Sequence, residues 1–75
     1  MFQILFRDGN NDPHIIERKF QTVGLAVDYI REKCKDGFEL HDEHVTDDYA
    51  FLNMLHEYGD MFMFEVVVSM KEFDL

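Results

Sequence analysis

No disulfide can form within this chain, because Cys34 is its only cysteine. A lone thiol fits a reducing compartment better than an oxidising one, so a cytoplasmic setting is expected. Tryptophan is absent, Pro13 is the single proline and Ser69 the single serine. Ser69 has no Gly-x-Ser-x-Gly context, so a serine nucleophile finds no support. The four glycines, Gly9, Gly24, Gly37 and Gly59, are isolated, which removes glycine-rich phosphate loops. Long apolar runs are missing too. Met61 to Phe64 is followed by Glu65, far short of the ~20 residues that cross a bilayer. Met1 to Arg7 lacks the basic start and long apolar stretch of a signal peptide and reads as a strand.

Cations are scarce, and their scarcity is uneven. Residues 1–35 carry six (Arg7, Arg18, Lys19, Arg31, Lys33, Lys35) against five acids, Asp8, Asp12, Glu17, Asp28 and Glu32, a net of +1. Residues 36–75 carry only Lys71 against eleven acids, a net of −10, and the halves sum to the chain's −9. Such a balance opposes direct nucleic-acid binding, which needs lysine and arginine for phosphate contacts, and opposes docking to an anionic membrane surface. Asp36, Glu39, Asp42, Glu43, Asp47 and Asp48 fall within thirteen residues with no cation among them. A segment of this kind repels itself. It serves either as a solvated face or as a docking surface that steers a basic partner by its field.

What remains is ordinary material for one folded domain spanning 1–75. Apolar residues make up 47% of the chain, with eight Phe and five Met for a bulky core. Phe2, Ile4 and Phe6 alternate with Gln3, Leu5 and Arg7, and a second alternation runs over 14–20, so an antiparallel hairpin of strands 2–7 and 14–20 is expected. Between them Asp8 to Pro13 is rich in turn formers. As a calcium loop it fails at the glycine and glutamate positions, which hold Pro13 and Lys19. Thr22 reads as an N-cap, and Val23, Ala26, Val27, Ile30 and Cys34 form one apolar stripe, giving a helix over about 23–35 that ends at Gly37. Cys34 on that stripe reads as a packed thiol.

The segment 38–45 is ambiguous: Phe38 and Leu40 fit the start of a short strand, but His41, Asp42, Glu43 and His44 are too polar to extend it. Ala, Leu, Met and Glu favour a second helix over roughly 47–58, with Phe51, Leu55 and Tyr58 on one face. The competing reading is a strand over 49–55 turning through Tyr58, Gly59 and Asp60. Met61 to Met70 is apolar on both faces, so it is expected to be central in the sheet and beside the first strand. Glu65 interrupts it, at the rim or facing an open side. The expected fold is α+β, in the order β-β-α-α-β, a three-stranded antiparallel sheet with two helices on one face.

His41 and His44, with Asp42, Glu43, Asp47, Asp48 and His56 nearby, carry metal-capable donors. No His-Glu-x-x-His spacing or second cysteine supports a site, so no metal, cofactor or enzymatic activity is expected. In size and charge, without any shared residue motif, the chain resembles the small acidic inhibitors of phages and mobile elements, including anti-restriction and anti-CRISPR proteins. The resemblance implies a protein-binding inhibitor or modulator of a basic, nucleic-acid-handling partner, through DNA mimicry by the acids of 36–48. The alternative is a homo-oligomeric structural or regulatory module. A homodimer is expected in either case, because a core this small rarely supplies more than ~3–5 kcal/mol unaided.

Overall fold

The computed structural model describes residues 1–9 and 12–69. Its elements are β1 (Phe2–Asp8), β2 (His14–Phe20), α1 (Val23–Lys33), β3 (Phe38–Val45), β4 (Ala50–His56) and β5 (Met61–Val68). The strands make one antiparallel sheet in the order β2-β1-β5-β4-β3. The fold is α+β, but the expected three strands and two helices are corrected to five strands and one helix, β-β-α-β-β-β.

The error lies wholly in 38–58. Ala50, Leu52 and Met54 are buried, and they alternate with the half-buried Phe51, Asn53 and Leu55. That is a period of two with apolar side chains on both faces, and such a strand imitates helical spacing over a short window. The segment is paired on both sides, with the apolar β5 along one edge and the polar β3 along the other. Tertiary pairing therefore overrides the helix propensity of Ala, Leu and Met. The polar segment 38–45 is a strand because it closes the sheet's edge, where both faces can stay wet beyond Phe38.

Elsewhere local signals governed the outcome. The hairpin β1–β2 forms with strands one residue or less from expectation, and β5 lies centrally between β1 and β4. The end of the expected last strand, Met70, lies outside the described residues. Thr22 caps α1: the Leu25 N–H donates to its Oγ1 at 3.1 Å, and Arg31 and Lys33 occupy the last turn, where cations suit the helix dipole. Thr22→Ala should cost about 1 kcal/mol, which a thermal melt would register as a drop of roughly 4–8 °C.

One face of the sheet holds the core. Val23, Ala26, Val27 and Ile30 of α1 and Cys34 at its C-cap pack onto Ile4, Leu52, Phe64, Val66 and their neighbours, with the helix lying chiefly over β1, β2 and β5. Past the helix's C-terminus, Phe6, Phe38, Phe62 and Phe64 close the end of the core, with ring centroids 5.1–5.6 Å apart in each touching pair. Residues opposite one another across strands share a face, so the register also defines the other side of the sheet. There lie Leu5, Ile15, Met61, Met63, Val67, Phe51 and Leu55, with Glu65 among them. No element among the described residues packs on that side.

Candidate functional site: the acidic β3 margin

β3 is an edge strand, so one of its sides carries backbone groups that no neighbouring strand uses. All its residues after Phe38 are exposed. It is about 26 Å long at strand rise, and all six sequence-predicted acids fall on or beside it. Asp36 precedes it, Glu39, Asp42 and Glu43 belong to it, and Asp47 and Asp48 occupy the turn into β4.

A bulge sets how these acids point. Leu40 pairs with Met54 and Asp42 with the adjacent Asn53, so His41 is the extra residue and the alternation shifts by one. Glu39 and Asp42, three apart, thereby share the sheet's open face together with His44. Glu43 turns to the helix side, where its Oε1 accepts from Arg31 Nη2 at 2.6 Å. Half-exposed at Arg31, that pair is worth under ~1 kcal/mol. In the turn, the Thr46 hydroxyl lies 2.9 Å from both Asp48 Oδ1 and the Tyr49 carbonyl, and its single proton serves one of them at a time. Asp36, Glu39, Asp42 and Asp47 have no hydrogen-bond or ion-pair partner among the described residues. Four of the six acids are thus unclaimed by the fold, and two help to hold it. Arg31, which sequence reasoning left out of the site, enters it only because the sheet order carries β3 to the helix's C-terminal half, and nothing in its sequence neighbourhood signals that.

The histidines do not converge. His44 stacks on Phe51, its partner across the ladder, with centroids 5.9 Å apart. His56 sits at the other end of β4, edge-on to Phe38 at 4.8 Å, and its Nδ1 accepts from the Tyr58 N–H at 3.3 Å. Among the described residues, no three His, Cys, Asp or Glu side chains are grouped to hold a metal ion.

Two further features bear on chemistry. A cleft of about 310 Å³ opens beside the end of α1, lined by Phe6, Phe38, Phe62, Phe64, Tyr29, Lys33 and Cys34. No carboxylate or imidazole lines it, and its titratable members are Tyr29, Lys33 and Cys34. Burial pushes the Cys34 thiol above its ordinary value, which keeps it protonated and weakly nucleophilic at neutral pH. On the open face, Tyr49 Oη donates to Glu65 Oε2 at 2.7 Å. That hydrogen bond, then burial and the carboxylate's charge, raise the phenol above its usual 10.0.

Both shifts favour the protonated form in the fold. Their stability contributions are therefore full below the unfolded values, 9.0 for the thiol and 10.0 for the phenol, and are lost as pH climbs from there through the raised folded values. Melting temperature should accordingly fall above pH 9. In Glu65→Gln the Tyr49 ionisation midpoint should move down toward 10.0, which ultraviolet titration would follow. An unmoved midpoint would mean the hydrogen bond is absent in solution.

No helix among the described residues is long and apolar enough to cross a membrane. In comparison with protein-family models, curated proteins and solved structures, the chain matches none.

Proposed function

We propose that this domain is a non-catalytic binding protein that docks a basic partner along β3 and so blocks or modulates it. One observation carries the reading: the chain's densest acids lie along a single exposed edge strand, and four of them have no hydrogen-bond or ion-pair partner among the described residues. An edge strand offers main-chain donors and acceptors to an extended segment, and the carboxylates beside it select lysine and arginine. A partner whose basic surface otherwise holds nucleic acid fits best, since that surface already carries the charge this margin complements. The free, protonated thiol of Cys34 suits a reducing interior.

Charged edge strands also keep sheets from pairing with one another. The two roles separate experimentally. A partner captured from host lysate should bind less tightly as salt rises, and double-stranded DNA should compete it off. Binding indifferent to both salt and DNA would refute the reading and leave edge protection as the acids' role.

A further inference from the structure

The outward face of a one-sided antiparallel sheet is ordinarily polar. Here it is apolar over four strands: Ile15 of β2, Leu5 of β1, Met61 and Met63 of β5, and Phe51 and Leu55 of β4. Ile15 is 56% exposed, the other five are half-buried, and no described element covers the patch, which Gln3 and Asn53 interrupt. We propose that a second copy of this chain covers it, in a two-fold dimer packed sheet to sheet with β3 left outside.

The charges on the face choose both the occupant and its orientation. Glu65 sits amid the apolar residues, and Arg7 lies on the same face, opposite Met63. Arg7 has no carboxylate partner among the described residues, and Glu65 has only the Tyr49 hydroxyl. A two-fold axis running along β5 would stack Glu65 on its own copy. An axis across the strands would set the acidic β3 on itself. An axis parallel to the strands, between β1 and β5, instead lays β1 of one copy over β5 of the other and β2 over β4. Arg7 of each copy then comes within reach of Glu65 of its mate, twice over by symmetry. Glu39 and Asp42 stay at the outer margin, so both acidic edges remain open.

The size is sufficient. Four strands spaced ~4.8 Å and about 24 Å long project some ~450 Å² before side-chain relief is counted, near the ~600 Å² per partner of small specific interfaces.

Sedimentation equilibrium of the full chain tests this. At about 100 μM the parent should weigh twice its 9.0 kDa. Phe51→Glu should give a 9.0 kDa monomer with an unchanged circular dichroism spectrum. Arg7→Glu and Glu65→Arg should each weaken the dimer about tenfold or more, while the double exchange Arg7→Glu/Glu65→Arg should return it close to the parent. A parent that stays at 9.0 kDa, as it would if another segment of this chain or an unrelated protein took the face, overturns the proposal. So does a double exchange that fails to restore what both single changes weaken.

Discussion

Leu52→Ala should unfold most of this protein at room temperature. Leu52 is fully buried in β4, under the helix-facing core, opposite Phe64 of β5 and Glu43 of β3. Truncating a buried leucine costs ~2–5 kcal/mol, as lost transfer energy plus the cavity left behind. A domain of this size holds only ~3–5 kcal/mol in total, so the loss is comparable to the whole. Denaturant melts would show it directly. The control is Leu25→Ala on the exposed side of α1, where Leu25 is 52% exposed and the change should stay within ~0.5 kcal/mol. The comparison also bears on the fold: on a helix over 47–58 with Phe51, Leu55 and Tyr58 inward, Leu52 would only flank that face, and its loss would cost less than that of a fully buried leucine.

Ser69→Ala should have the opposite sign. Ser69 is fully buried, and its hydroxyl oxygen has no hydrogen-bond partner among the described residues. Leaving a buried donor and acceptor unpaired costs ~1–3 kcal/mol. Removing the hydroxyl relieves that cost, while the Ser69 N–H, which donates to the Met1 carbonyl at 2.8 Å, is untouched. The variant should melt higher by several degrees, on the scale of ~4–8 °C per kcal/mol. A lower melting temperature would mean the hydroxyl is satisfied in solution.

The parts of the fold that were legible in the sequence are those written in local chemistry. Thr22 and the 3-4 spacing of Val23, Ala26, Val27 and Ile30 determine the helix, and the alternations before and after the turn formers give the hairpin strands, Asn10 and Asn11 of that turn lying outside the described residues. The doubly apolar run from Met61 correctly implied a central strand, and Glu65 does face the open side. β4 was legible only as the competing reading, a strand over 49–55 turning through Tyr58 to Asp60, because apolar side chains on both faces leave no clean alternation to decide against a helix. β3 was illegible because its partner was misassigned: a polar strand makes sense only beside a neighbour that needs its edge closed. The six acids were legible as a cluster. Their division was not, because it depends on the bulge at His41 and on Arg31 arriving from the helix, both consequences of sheet order and register.

The central claim is that the β3 acids exist for a partner. The direct measurement is the association rate between the captured partner and a variant with Asp42, Glu43, Asp47 and Asp48 changed together to Asn or Gln, at low and high salt. Asp42→Asn/Asp47→Asn serves beside it, because neither residue has a partner in the fold, whereas Glu43 and Asp48 do. Charges on an exposed margin act over about 8 Å at physiological ionic strength and farther at low salt. Both variants should therefore associate more slowly at low salt, the fourfold change by about tenfold or more. The difference from the parent should shrink toward nothing as salt rises. Association at the parent's rate in low salt would contradict the claim and leave β3 as a charged edge that only keeps other sheets away.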